Sequence, residues 1–152
     1  ESFLIGVRLS PEINRIGIKL HHTIDILGIL KKLNLDFIHL SCWDVFATSN
    51  NFNKKNKTLT EIITSIHPDL PTIISTGGVW SSLDAHRLIQ QGADLVGVAR
   101  AGIGHPNWAN KISDINYNPK RPPFTYTHLE KVKLSKIFIN YMKKWNGFVI
   151  DD

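Results

Sequence analysis

The sequence is poor in the residues that indicate disulfides, membrane spans or metal sites. Its 152 residues include one cysteine, Cys42, so no internal disulfide can form, and this usage is typical of a reducing compartment. No apolar run approaches the roughly 20 residues of a membrane-spanning helix, and the N-terminus shows no signal-peptide pattern. The seven histidines show no ligand spacing with cysteine or carboxylates. These absences predict a cytoplasmic protein that has neither a metal site nor a membrane partner.

The charge is positive, with 18 lysines and arginines against 13 acidic residues and a formal net charge of +5. A basic surface of this kind can bind nucleic acid. Base stacking also requires aromatic side chains interleaved with the basic ones, and that pattern is missing here. We therefore interpret the excess as a solvated helix face, or as a sign of an anionic ligand elsewhere, and expect no nucleic-acid partner. Much of it lies late in the chain, at Lys111, Lys120, Arg121, Lys131, Lys133, Lys136, Lys143 and Lys144.

Apolar, β-branched runs alternate with longer helical patterns along the chain. The apolar runs are nearly continuous, which is typical of parallel strands covered on both faces. Four such units are half of an eightfold barrel, whose usual length is about 250 residues. An open doubly wound sheet is the other arrangement that such units adopt, and their spacing does not separate the two. The predicted strands are Phe3–Leu9, Asp36–Ser41, Thr72–Thr76 and Asp94–Ala99, and the predicted helices are about His22–Leu33, Leu59–Ile66, Ser82–Gln91 and Leu129–Trp145.

Three signals lie in or directly after predicted strands, at whose C-terminal ends barrels and parallel sheets place their sites. Gly77 and Gly78 follow the third strand, and paired glycines let backbone N–H groups approach an anion without an intervening Cβ atom. Ala99 and Arg100 end the fourth, where further N–H groups and a guanidinium can bind a phosphate. Arg8 places a charge inside an apolar strand, where it needs a partner or an anionic ligand. The first two signals together predict a phosphate site.

Each signal also has a purely structural explanation. A glycine pair after a strand is often only a tight turn. Arg100 could pair with a helix carboxylate such as Asp84 or with Asp94, and Arg8 could be half-exposed at a strand end. Cys42 is expected to be a packed thiol and not a nucleophile, because the sequence indicates no histidine–carboxylate partner for it. No residue of the chain is therefore assigned a catalytic role.

Several segments resemble the end of the old yellow enzyme family, which are FMN-dependent NADH:flavin oxidoreductases with a (β/α)8 barrel. The specific part consists of residues 76–79 (TGGV), 92–94 (GAD), 95–100 (LVGVAR) and 105–108 (HPNW). The similarity extends back to residues 6–11 (GVRLSP), which look like the family's fifth strand, and forward to the basic, aromatic residues 118–145. It covers nearly the whole chain.

The resemblance implies that residues 1–152 are an α/β unit, the C-terminal half of the barrel with about strands 5 to 8, and that the N-terminal half is absent. It places Arg8 at the pyrimidine edge of the flavin. It further implies that Gly77 and Gly78 hold the FMN phosphate through the backbone and that Ala99 and Arg100 complete the site. The family usually has glycine where this chain has Ala99, so the added Cβ narrows the approach of the phosphate.

The function that the resemblance implies belongs to a longer parent enzyme. Such a parent transfers hydride from NAD(P)H to FMN and on to a small electron-poor acceptor, such as an activated alkene or a quinone. The family's substrate-binding His pair or His–Asn and its proton-donating Tyr come from earlier strands, so we expect the chain to be inactive alone. Its open sheet edges predict a homo-oligomer when the missing half-barrel is not present. The alternatives are half of another phosphate-binding barrel enzyme and a non-enzymatic basic binding module.

Overall fold

The computed structural model describes residues 3–49 and 56–152, which belong to two compact units. The first unit comprises Glu1–Val79 and Asp84–Gly97, and the second comprises Trp80–Leu83 and Val98–Asp152. None of the helices in the two described ranges is both long enough and apolar enough to cross a membrane.

The first unit contains a four-stranded parallel sheet in the order β1-β2-β3-β4. Helices connect the successive strands, so the predicted α/β class with parallel strands is confirmed. In chain order the elements are β1 (Gly6–Leu9), a short 3-10 turn (Asn14–Ile16), α1 (Leu20–Leu30), β2 (Phe37–Ser41), α2 (Leu59–Ile66), β3 (Thr72–Thr76), α3 (Ser82–Gln90, whose first two residues belong to the second unit) and β4 (Leu95–Gly97).

Three predicted strands are shorter in the structure. The first begins at Gly6 instead of Phe3, the second begins at Phe37 instead of Asp36, and the last covers Leu95–Gly97 instead of Asp94–Ala99. The side chains of Phe3 and Leu4 are 86% and 78% exposed. The reason lies in the neighbouring strand, because β2 begins at Phe37, opposite Gly6, and offers no strand residue to pair with the earlier ones.

One face of the sheet and the three helices of the first unit form its core. Ile38 and Leu40 of β2 are fully buried, and so are Leu27 of α1, Ile62 of α2 and Leu88 of α3. Two polar contacts join the layers. The hydroxyl oxygens of Thr60 and Ser75 lie 3.0 Å apart between α2 and β3, and the His67 Nε2 atom lies 3.1 Å from the carbonyl oxygen of Ile24 in α1. Side chains alternate across a strand, so the intervening residues of β2 face away from the helices.

Two aspartates fix the register of the sheet at strand starts. The backbone N–H of Asp36 donates to the Ile5 carbonyl oxygen (2.8 Å), and the Asp36 carboxylate accepts from the Ile5 N–H (2.7 Å). Asp94 makes the same pair of bonds with the backbone of Ile73, at 2.9 and 2.8 Å. Each aspartate therefore closes a two-bond ring with the adjacent strand and sets which residues pair beyond it. We call this arrangement the aspartate clip.

The second unit is built around Phe124, which is 1% exposed. The Phe124 ring stacks on His128 with ring centroids 5.2 Å apart and meets Phe148 edge to face at 5.4 Å. The Trp108 indole N–H donates to the carbonyl oxygen of Trp80 at 2.6 Å. The elements are α4 (Arg100–Gly104), α5 (Trp108–Lys111), β5 (Phe124–Thr125), α6 (Tyr126–Lys131), α7 (Lys136–Met142) and β6 (Val149–Ile150), and β5 pairs with β6 in parallel.

The prediction of one long helix over Leu129–Trp145 is wrong. The segment contains the end of α6 and all of α7, and Lys133 between them has a left-handed backbone (φ 69°) that an α-helix cannot continue through. Ser135 then starts the second helix, because its hydroxyl oxygen accepts from the Phe138 N–H at 3.2 Å. A cap residue inside an otherwise helical pattern was the sign of this break.

We expect Asp94→Ala to lower the free energy of unfolding by about 1 kcal/mol, the usual net contribution of an intramolecular hydrogen bond. The Ile73 N–H loses its carboxylate acceptor in this variant. Asp94→Asn keeps an acceptor oxygen and should lose less. Urea unfolding followed by circular dichroism measures both, with the exposed Asp25→Asn on α1 as a control. Equal stability of Asp94→Ala and wild type would show that the clip does not stabilise the sheet.

Candidate functional site

A row of polar side chains crosses the face of the sheet that the helices leave uncovered. We call it the polar row, and its members are Arg8 of β1, His39 and Ser41 of β2, and Thr76 of β3. The strand register pairs Arg8 with His39 and Ser41 with Thr76. Because β2 buries Ile38 and Leu40 against the helices, His39 and Ser41 lie on the opposite face. Ser41 and Thr76 are the last residues of their strands, Arg8 is one residue from the end of β1, and His39 is at the middle of β2.

Two short contacts tie the row together in pairs. The Arg8 guanidinium donates from Nη2 to the Ser41 hydroxyl oxygen at 2.6 Å. The His39 Nε2 atom and the Thr76 hydroxyl oxygen lie 2.7 Å apart, and which of them donates depends on the tautomer of the ring. Arg8 is exposed, whereas the other three side chains are half-buried. The charge of Arg8 is thus partnered by the neutral hydroxyl of Ser41. The guanidinium has five N–H groups, so further donors remain for a ligand.

The pKa of His39 lies below its ordinary value of 6.5. Burial is the larger cause, since it disfavours the charged ring, and the positive charge of Arg8 lowers the pKa further. The ring is therefore neutral at pH 7, with one nitrogen as a donor and the other as an acceptor. Arg8 is then the one permanent charge in the polar row.

The turn after β3 requires both of its glycines. Gly77 and Gly78 have φ angles of 146° and 73°, which L side chains rarely adopt. A Cβ atom on Gly77 would also collide with the carbonyl oxygen of Cys42. The turn is held to the segment after β2, because Cys42 N–H donates to the Thr76 carbonyl oxygen (2.8 Å) and Val45 N–H donates to that of Gly77 (3.1 Å). This packing accounts for the glycines, and their role in phosphate binding stays a prediction.

Ala99 and Arg100 lie in the second unit, at the start of α4. The Ala99 carbonyl oxygen accepts from the Ile103 N–H at 3.0 Å, and Arg100 is the exposed first residue of the helix. Gly77, Gly78 and Arg8 lie in the first unit, where the glycines directly follow Thr76 of the polar row. Of the five predicted site residues, the structure thus brings three to the C-terminal end of one sheet.

Sequence reasoning identified Arg8 but missed the three other members of the polar row. The available signal was the spacing of His39 and Ser41, two polar residues at alternate positions in an otherwise apolar strand. Period two places such residues on one face. Thr76 gave a weaker signal, because threonine is common in strands for its shape alone.

Cys42 does not contribute a nucleophile to this region. Burial raises the pKa of its thiol to about 12, and the nearby Asp44 charge acts in the same direction, while a hydrogen bond with Ser75 acts against them. A thiol with this pKa is protonated at neutral pH, in agreement with a packed thiol. Among residues 3–49 and 56–152, no group of three or more His, Cys, Asp or Glu side chains could hold a metal ion.

The chain is similar in sequence to NADH-dependent flavin oxidoreductases. It is 28% identical over 114 residues to the probable NADH-dependent flavin oxidoreductase YqiG of Bacillus subtilis. The aligned residues cover 74% of this chain and 31% of that protein. It is 30% identical over 113 residues to the NADH:acrylate oxidoreductase of Vibrio harveyi (72% and 11%) and 29% identical over 117 residues to the NADH:fumarate oxidoreductase of Klebsiella pneumoniae (74% and 13%). The chain thus matches about a third or less of each relative's length. No protein-family model matches it.

We expect Arg8→Gln to raise the pKa of His39 toward 6.5 without reaching it, because burial remains after the charge is removed. Imidazole chemical shifts followed by NMR as a function of pH measure this directly. Arg15→Gln, which removes an exposed charge from the turn after β1, is the control and should leave the pKa unchanged. If the pKa of His39 is unchanged in Arg8→Gln, the charge of Arg8 does not influence the His39 ring.

The lowered pKa of His39 also determines how its contribution to stability changes with pH. A folded-state pKa below the unfolded value means that the neutral ring's contribution is complete above the unfolded pKa and is lost as the pH falls through the folded-state pKa. The contribution of His39 to stability should therefore fall as the pH drops below about 6.5, so His39→Gln should depend less on pH over that range than wild type does, as urea unfolding at each pH measures.

Proposed function

We propose that the chain is the C-terminal half of an FMN-binding (β/α)8 barrel of the old yellow enzyme family, and that its parent is an NAD(P)H-dependent flavin oxidoreductase. One observation carries this proposal. Arg8 and the glycine turn lie at the C-terminal end of the same parallel sheet, in a sequence similar to three NADH-dependent oxidoreductases. Barrels bind their ligands at that end. Four parallel strands are half of the eight that a barrel requires, and the match to 31% of the YqiG protein agrees with a partial barrel.

The residues present fit a flavin phosphate at the glycine turn. Neither Gly77 nor Gly78 carries a Cβ atom that would shield its backbone N–H group, so the turn suits contact between these N–H groups and a phosphate oxygen. We assign the FMN phosphate to the backbone of Gly77 and Gly78 and, as the resemblance implies, to Ala99 and Arg100. Arg100 supplies a permanent positive charge, and a guanidinium binds phosphate oxygens in bidentate geometry.

We assign the flavin ring to the side of the row that carries Arg8. FMN supplies the redox chemistry when it is bound. The chain's own contribution is the positive charge of Arg8, which Ser41 orients and which favours negative charge on the ring edge beside it. We assign no catalytic residue to this chain. The groups that bind the acceptor and donate a proton belong to the remainder of the parent, so the chain alone should show little or no turnover.

The acceptor that we propose is a small electron-poor molecule, such as an activated alkene or a quinone. Two relatives are named for acrylate and fumarate, which are activated alkenes. Cys42 is a free thiol, which agrees with a reducing compartment, and we propose the cytoplasm as the location.

The partner that we propose for the uncovered sheet face is the N-terminal half of the barrel. Among the described strands of the sheet, β1 and β4 are the edges. Leu95 of β4 is 53% exposed, and Ile5, just before β1, is 58% exposed. Open edges and exposed apolar side chains favour association. When the N-terminal half is not present, a second copy of the chain takes its place.

We expect the full-length protein that carries this sequence to bind FMN saturably and to be yellow when purified. Arg100→Ala should weaken FMN binding about ten- to hundredfold, since hydrogen bonds to charged groups contribute about 1.5–3 kcal/mol. Quenching of flavin fluorescence in a titration measures both. Arg15→Ala removes an exposed arginine outside the site and is the matched control.

Two outcomes would contradict the cofactor assignment. One is the absence of saturable FMN binding. The other is FMN binding that Arg100→Ala and Arg15→Ala leave equally unchanged. Binding of inorganic phosphate without FMN binding would favour a barrel enzyme that acts on a phosphorylated substrate. Salt-dependent binding of nucleic acid would favour the basic binding module.

We expect the 152-residue chain to be a dimer or larger oligomer at micromolar concentration. The uncovered sheet face and both sheet edges favour self-association. Light scattering coupled to size exclusion measures the mass, and Leu95→Lys on the edge strand should shift the population toward the monomer. A stable monomer of wild type would show that this face does not self-associate.

A further inference from the structure

The polar row lies between the two parts of the proposed FMN site. Arg8 lies on β1, and the glycine turn follows β3, so the two are separated by two strand spacings, about 10 Å across the sheet. Ser41 and Thr76 are paired in register, one on β2 and one on β3. Any ligand that reaches from Arg8 to the glycine turn passes over these two hydroxyl groups.

The hydroxyl groups of the row have hydrogen-bonding capacity left after their contacts in the protein. The Ser41 oxygen accepts from Arg8, so its own O–H proton remains to be donated. Thr76 uses one hydrogen bond with the His39 ring. Since the hydroxyl can both donate and accept, either tautomer of the ring leaves it a further bond.

The position of the Thr76 hydroxyl is fixed from two sides. His39 lies on one side, at 2.7 Å. On the other side, the space that a Cβ atom on Gly97 of β4 would occupy is filled by the Thr76 hydroxyl oxygen. A glycine at this strand position thus gives the Thr76 side chain its room. The row presents neutral, half-buried hydroxyls of fixed position, which suit an uncharged polyol better than a second charged group.

We propose, on the basis of the FMN function above, that Ser41 and Thr76 bind the ribityl hydroxyl groups of FMN. The ribityl group is the polyol chain that joins the flavin ring to the phosphate, and the row occupies the corresponding place between Arg8 and the glycine turn. The row then selects a ligand whose phosphate and aromatic ring are joined by a linear polyol.

Three flavins separate the parts of this site in the full-length protein. FMN carries ring, polyol and phosphate, riboflavin lacks the phosphate, and lumiflavin lacks the polyol as well. Thr76→Val removes one hydroxyl and should weaken FMN and riboflavin about three- to tenfold, while lumiflavin binding stays within about twofold of wild type. Ser41→Ala should weaken FMN and riboflavin to a similar extent, with a smaller loss of lumiflavin binding because Arg8 also loses its hydrogen-bond acceptor. Thr76→Ser keeps the hydroxyl and should restore riboflavin affinity. Isothermal titration calorimetry gives the three affinities.

Thr72→Val is the matched control, because Thr72 lies on the same strand and face as Thr76 but at the other end of β3. It should leave all three affinities unchanged, and circular dichroism confirms that each variant is folded. Equal loss of riboflavin and lumiflavin in Thr76→Val, or no loss of riboflavin, would overturn the assignment while FMN binding itself stands. Wild-type protein that binds no flavin would overturn the proposed function, and the ribityl assignment with it. Arg100→Ala should weaken FMN but not riboflavin, which separates the phosphate from the polyol.

Discussion

The burial of Ile38 and Leu40 against the helices determines where the polar residues of the first unit lie. Both side chains are fully buried, and a shift of β2 by one residue would expose them. The same alternation that keeps them in the core holds His39 and Ser41 on the opposite face. The parallel register then brings the neighbouring strands' polar residues beside them. The position of the row is thus a consequence of hydrophobic packing on the far side of the sheet.

The electrostatics of the row follow from having one charge among neutral groups. Arg8 is exposed and keeps its hydration, so its charge costs little in the absence of a ligand. A second cation beside it would repel it, and the depressed pKa of His39 keeps the ring neutral at pH 7. The hydroxyls of Ser41 and Thr76 add hydrogen-bonding capacity without adding charge. Such a surface can meet a negative group at one end and an uncharged polar group along its length.

The sequence was sufficient to predict the elements whose signal is local. The bounds of α2 and β3 are as predicted, because a capping box at Thr58 and a continuous apolar run mark them. The limits of β1 could not be predicted, since they depend on where the neighbouring strand begins. The break near Lys133 was marked in the sequence by the cap residue Ser135, whereas the left-handed backbone of Lys133 itself has no sequence signal.

The candidate site also contains residues that the sequence revealed and residues that it did not. The glycine turn was visible in the sequence because glycine has a distinct backbone chemistry, and Arg8 was visible as a charge among apolar residues. His39, Ser41 and Thr76 gain their meaning only from pairing between strands that are about 30 residues apart in the chain. No local pattern reports that pairing, so the row became evident only from the register of the sheet.

The aspartate clips have a consequence for how such a sheet can change over time. Each clip consists of one backbone–backbone hydrogen bond and one hydrogen bond from a backbone N–H to the carboxylate, so the residue before each strand fixes that strand's alignment with its neighbour. Asp36 and Asp94 lie in different strand–helix units and make the same contacts. A segment that carries its own register-fixing aspartate can be duplicated or exchanged with another segment and still align with the neighbouring strand. A strand followed by its helix could in this sense be exchanged as one segment, because the aspartate clip aligns the strand with its neighbour.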